Sequence, residues 1–125
     1  LLALLAFGIL QFIFRNRTLT VDGIFATVTV YLIIAMIFSM LYLLLIEWRP
    51  TSFNLHVEDS SPQLLQSNLL YFSLVTLATV GYGDVLPVSE TARTLAVLEA
   101  TVGQFYIAVV VAVFVGMYAT QQRGN

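Results

Sequence analysis

Two stretches of this chain are free of charge over a length that matches a lipid bilayer. Between Asp22 and Glu47 lie 24 uncharged residues, Gly23 to Ile46, and between Glu99 and Arg123 lie 23 more, Ala100 to Gln122. At about 1.5 Å per helical residue they reach roughly 36 and 35 Å, against a hydrocarbon core of about 30 Å. Both predict transmembrane helices, an outer one over 21–46 and an inner one over 91–121. Only 10% of the 125 residues are charged and 59% are hydrophobic, whereas soluble domains run at roughly 25% and 45–50%. The five basic residues are all Arg, scattered along the chain, so the dense basic face that nucleic-acid binding requires is absent. With no Cys and one His, thiolate metal sites, cysteine nucleophiles and disulfides are excluded, and no catalytic metal is expected.

The arginines set an orientation. Arg15 and Arg17 precede the first span and Arg123 follows the second, so the positive-inside rule puts both ends in the cytoplasm and the intervening segment outside. The expected location is the plasma membrane, with the lipid bilayer as the first partner. Residues 47–63 carry Glu47, Arg49, Glu58 and Asp59 with Pro, Ser and Asn and read as an acidic extracellular loop, in which His56 is a solvated residue. Residues 1–20 begin with an uncharged run, Leu1 to Phe14. It is about 21 Å long as a helix, short for a span. The expectation is a partial N-terminal helix, either the tail of an upstream membrane helix or one lying at the interface, followed by a cytoplasmic linker.

A second short apolar run, Leu64 to Leu77, follows Ser61-Pro62, a capping residue and a first-turn proline. Its length suits a re-entrant helix over 64–78 rather than a crossing. Directly after it stands Thr79-Val80-Gly81-Tyr82-Gly83-Asp84, where two glycines permit backbone with positive φ. Irregular backbone at membrane depth persists only where it is buried in protein or lines water. The segment is therefore expected to enter as a helix and return as extended chain.

These six residues resemble the selectivity-filter signature of tetrameric potassium channels, and the order of elements over 21–122 resembles their pore domain. The fold implied is an all-α membrane protein: two transmembrane helices flanking a re-entrant pore helix and a filter over 79–84. The resemblance implies that the carbonyls of Thr79, Val80, Gly81 and Tyr82, with the Thr79 hydroxyl, replace the hydration shell of K+. One chain supplies one strip of oxygens, so the family analogy implies a homotetramer. Support for the filter is expected from Gly83, from Asp84 and from the aromatic pair Tyr71 and Phe72. Some family members pair the aspartate with a glutamate where this chain has Val75, so Asp84 is expected to rely on the Tyr71 hydroxyl.

On the inner helix, Gly103 stands twenty residues after Gly83, where the family commonly has a hinge glycine. A glycine inside a helix costs about 1 kcal/mol relative to alanine, so bending or a close approach to the pore helix is expected of it. Ala108, Ala112 and Gly116 form a small-residue stripe suited to close helix packing in lipid. Ile107, Val111, Phe114 and Val115 are the candidates for cavity and gate lining. The buried acid Glu99, one turn before Gly103, is expected behind the filter or against the pore helix, held by hydroxyls such as those of Thr76, Ser73 or Thr101.

Protease, triad and phosphate-loop motifs are missing, so the chain is not read as an enzyme. The expected function is passive conduction of K+, the only bound ion. The alternatives are a weakly selective cation channel and a non-conducting membrane subunit or transporter built on the same pore-loop design. The gating stimulus is not encoded in this stretch, which leaves room for a gating domain upstream or downstream.

Overall fold

In a computed structural model of the chain, residues 21–54 and 61–123 are described. The order is α1 (Val21–Trp48), a 3-10 turn (Pro50–Ser52), β1 (Phe53–Asn54), α2 (Pro62–Leu77), β2 (Leu86–Pro87) and α3 (Glu90–Arg123). The expectations for residues 1–20, for His56 and for the Arg123 side chain lie outside the described residues. Contacts divide the chain into two units, Ala35–Gln104 and Leu1–Ile34 with Phe105–Asn125.

Among the described residues, two helices are long and apolar enough to cross a membrane, Val21–Trp48 and Glu90–Ala119. Helix is the natural outcome there, because lipid offers no partner for backbone N–H and C=O groups and a helix pairs them within the segment. Polar side chains are handled in the same way: Thr27 and Thr29 hydroxyls donate to the carbonyls of Ile24 and Phe25, at 2.7 and 2.8 Å. Phe25, Val28, Leu32, Met36, Met40 and Leu44 recur at helical spacing along one exposed face of α1, as a lipid-facing stripe should. The α1 helix runs two residues beyond the expected end, and α3 extends past both of its expected bounds. The α2 helix starts at Pro62 rather than Leu64, because Ser61 Oγ accepts the Leu64 amide and Pro62 occupies the first turn without needing a partner.

Within Ala35–Gln104, the faces of α1, α2 and α3 meet around an aromatic cluster. Tyr42, Phe53 and Phe72 stand edge to face, with ring centroids 5.2–5.3 Å apart, and Phe38 lies 6.4 Å from Tyr42. Such tilted pairs place ring edges against ring faces and add roughly 0.5–1.5 kcal/mol each beyond burial. The β1–β2 pair, with Phe53 opposite Pro87 and Asn54 opposite Leu86, fixes the chain leaving α1 to the chain entering α3. The Ser52 carbonyl extends this tie by accepting the amides of Val88 and Ser89 at 2.8 and 3.3 Å. Ser89 then caps α3 through the Ala92 amide.

Gly103 packs backbone to backbone. A Cβ there would collide with the Leu77 carbonyl oxygen and stand 3.0 Å from its carbon and 3.1 Å from Leu77 Cδ1. The missing side chain is therefore what lets α3 approach the last turn of α2, immediately before Thr79.

At the centre of the unit sits Glu99, fully buried. Its Oε2 accepts the Tyr42 hydroxyl at 2.5 Å, and its Oε1 is hydrogen-bonded to Ser73, whose Oγ also stands 2.8 Å from the Ala35 carbonyl. One carboxyl group thus joins all three helices. The Ser73 hydroxyl has one hydrogen and faces two acceptors, the Glu99 carboxyl and the Ala35 carbonyl. Of the hydroxyls expected around Glu99, Ser73 is present, whereas Thr101 donates to the Val97 carbonyl along its own helix.

A glutamine at position 99 can keep both contacts, its oxygen accepting from Tyr42 and its amide N–H donating to Ser73 Oγ, which leaves the Ser73 hydrogen for the Ala35 carbonyl. Glu99→Gln is expected to alter stability by less than about 1 kcal/mol, and Glu99→Leu to cost about 2 kcal/mol by stranding the buried Tyr42 hydroxyl, while Ser73 keeps the Ala35 carbonyl as its acceptor. Thermal unfolding of the detergent-solubilised protein checks both.

Candidate functional site

The segment 79–84 leaves the last turn of α2 with a backbone no ordinary helix or strand has. Among the described residues, positive φ occurs at Thr79 (55°), Gly81 (59°) and Gly83 (81°). Every second residue is thus left-handed, and the intervening Val80 and Tyr82 are not. No atom lies within 4 Å of where a Cβ would stand on Gly81 or Gly83. Glycine is therefore required by the backbone angle, not by crowding. Thr79 adopts the same region with a β-branched side chain, which is strained by about 1–2 kcal/mol and was not foreseen from the sequence.

The amides of this segment turn back toward α2. Thr79 N–H donates to the Thr76 carbonyl at 2.9 Å, and the Val80 and Gly81 amides donate to the Val75 carbonyl at 2.9 and 3.4 Å. In a trans peptide the carbonyl of residue i points opposite to the N–H of residue i+1. The Thr79 and Val80 carbonyls are accordingly directed away from α2, and among the described residues no donor reaches the carbonyls of Thr79, Val80, Gly81 or Tyr82. Val75 contributes its backbone oxygen as the anchor of this arrangement. The same end of α2 presents the negative pole of the helix dipole.

Asp84 closes the segment. Its Oδ2 accepts the Tyr71 hydroxyl at 2.7 Å and its Oδ1 accepts the Val85 amide at 3.0 Å. The Tyr71 hydrogen bond, as the largest influence, holds the Asp84 carboxyl below the usual carboxylate range. The same bond pushes the Tyr71 hydroxyl up. Tyr82 is 73% exposed and Val80 52%. Phe72, one residue from Tyr71, packs into the aromatic cluster with Tyr42 and Phe53.

Two further polar contacts had no counterpart in the sequence reading. Gln104 Nε2 donates to Thr79 Oγ1 at 3.1 Å, and Tyr42 reaches Glu99 as described. The only signal for either is a polar group inside an otherwise apolar span, which in lipid must find a partner. Arg93 Nε donates to the Pro87 carbonyl at 3.2 Å. In the other unit, Tyr106 donates to the Thr27 carbonyl at 2.6 Å and its ring lies 5.7 Å from that of Tyr31. Ile107 and Val111 flank a shallow groove there with Val28 and Val110. Phe114 is half-buried and Val115 exposed. Among the described residues no cluster of His, Cys, Asp and Glu is suited to hold a metal ion.

A family described as ion channel matches residues 2–120 of the chain. Protein LctB of Bacillus caldotenax is 35% identical over 98 residues, covering 77% of this chain and 72% of that protein. The inward rectifier potassium channel Kirbac3.1 of Paramagnetospirillum magnetotacticum is 31% identical over 68 residues, 54% of this chain and 23% of that protein.

Because the Tyr71 hydroxyl stabilises the charged form of Asp84, its removal shifts the carboxyl titration toward the ordinary value, that is, upward. In Tyr71→Phe the Asp84 carboxylate is expected to protonate at a higher pH than in the wild type, and the stabilisation it contributes is lost correspondingly sooner on acidification. Carboxyl-carbon NMR of the labelled aspartate, followed through a pH titration, measures the shift directly.

Proposed function

The chain belongs to the ion-channel family, and we propose that it forms the pore of a potassium-selective channel, letting K+ run passively down its electrochemical gradient across the plasma membrane. Four copies surround one axis, and the carbonyls of Thr79, Val80, Gly81 and Tyr82 with the Thr79 hydroxyl take the place of water around the ion. The observation that carries this reading is the alternation of positive φ at Thr79, Gly81 and Gly83, joined to amides that turn back toward α2. A backbone arranged so offers a row of partial negative charges to a cation and no fixed full charge to trap it. Conduction needs that balance, with binding favourable enough to admit an ion and weak enough to release it.

The roles of neighbouring residues follow. Gly83 permits the turn out of the row, and Tyr71 and Asp84 strap the returning chain to α2. Val75 holds the amides through its carbonyl, while Phe72 supports the segment from behind through the aromatic cluster. Gly103 lets α3 lie against the base of the row and is the point about which α3 bends. Ile107, Val111, Phe114 and Val115 line the water-filled cavity and its cytoplasmic mouth. One relative, the inward rectifier potassium channel Kirbac3.1, agrees with the choice of ion.

Purified protein in planar bilayers, bathed in potassium on one side and sodium on the other, is expected to reverse close to the potassium equilibrium potential. A reversal near zero identifies a weakly selective cation channel instead, and overturns the potassium reading.

A further inference from the structure

The contact between Gln104 and Thr79 has no task in the scheme above. Gln104 follows Gly103, so the packing of α3 on the Leu77 backbone carries it to the base of the carbonyl row. Its Nε2 reaches the Thr79 side-chain oxygen at 3.1 Å across 25 residues of sequence, and both residues are exposed. Neither belongs to the packed core, so the bond does not serve to satisfy a buried group. A carboxamide placed among Val102, Phe105 and Ile107 is an expensive choice for a membrane helix, and its one described partner is a hydroxyl that the proposed filter uses.

We infer that Gln104 is a positioning residue for the first site of the filter: by donating to Thr79 Oγ1 it restricts the rotation of the hydroxyl and tunes how strongly the innermost site holds a cation. The inference rests on the potassium-filter reading. A hydroxyl oxygen has one hydrogen and two acceptor positions. Unrestrained, it rotates, and part of the time its hydrogen faces the cation. With one acceptor position taken by Gln104, three staggered orientations fall to two, and the cation's field selects the one that turns the hydrogen aside and presents the second acceptor position to the ion. The site is then partly organised before the ion arrives, and less ordering is left for binding to accomplish. Four copies would form a ring of carboxamides at the junction of filter and cavity.

Barium, a divalent cation close to potassium in size, is a probe for this site when applied from the cytoplasmic face. Gln104→Met keeps the length of the side chain and removes the donor. It is expected to raise the half-blocking barium concentration about five-fold, the factor equivalent to one net hydrogen bond of about 1 kcal/mol. Gln104→Asn keeps the carboxamide but is one methylene short, and is expected to weaken block equally. Thr101→Val serves as control, since among the described residues Thr101 bonds only to its own helix; its block should stay within about two-fold of wild type. Unchanged or tighter block in Gln104→Met or Gln104→Asn, or equal weakening in Thr101→Val, overturns the inference while the wild-type channel remains potassium-selective. A wild-type channel that passes sodium as readily overturns the filter reading itself, and this inference with it.

Discussion

A carbonyl without a hydrogen-bond donor is expensive wherever water is excluded, on the order of several kcal/mol, and among the described residues none donates to those of Thr79 through Tyr82. The surrounding structure is organised to keep them so. The amides that would otherwise invite the chain to fold onto itself are committed to α2, through Thr76 and Val75. Positive φ at every second residue then prevents the segment from relaxing into a strand or a helix. Strained backbone survives only where its surroundings over-determine it, and here the restraints come from both ends: Thr79 follows the Ala78 cap of α2 and is bonded to Thr76, and Asp84 is tied to Tyr71.

The scaffold behind this segment uses polar chemistry where an apolar core would have been simpler. Glu99 bonds to α1 through Tyr42 and to α2 through Ser73, whose own hydroxyl stands against the α1 backbone at Ala35. Apolar packing is tolerant of small sliding movements, since one methyl contact resembles the next. A hydrogen-bonded carboxyl has fixed partners and directions, and in lipid the alternative to those partners is an unsatisfied group. The Tyr42, Phe53 and Phe72 rings fill the volume around it, and the absent side chain of Gly103 lets α3 sit against Leu77. Together these fix the depth of the α2 terminus, which is where the carbonyl row begins.

Most of the architecture is legible in the sequence because the bilayer imposes a length on charge-free runs. The two spans follow from the positions of Asp22, Glu47, Glu99 and Arg123, and Ser61-Pro62 marks the start of α2. Contacts that join distant positions are not legible in the same way. Tyr42 and Glu99 are 57 residues apart, and nothing local to either announces the other. Thr101 was as good a partner on paper as Ser73, since both carry a hydroxyl within reach of a helix face; the choice depends on how α2 and α3 are rotated about their axes. Thr79 is the reverse case. Its type argues against left-handed backbone, and the conformation is imposed by the amide bonds of Val80 and Gly81 to Val75.

The account turns on whether cations sit among the peptide oxygens of 79–82. Anomalous diffraction from crystals of the assembled protein grown in rubidium or thallium salts tests this most directly. The expected result is a column of peaks on the symmetry axis, level with the carbonyls of Thr79, Val80, Gly81 and Tyr82. Density confined to the Asp84 carboxylates, with the axis empty at the level of those carbonyls, would contradict it.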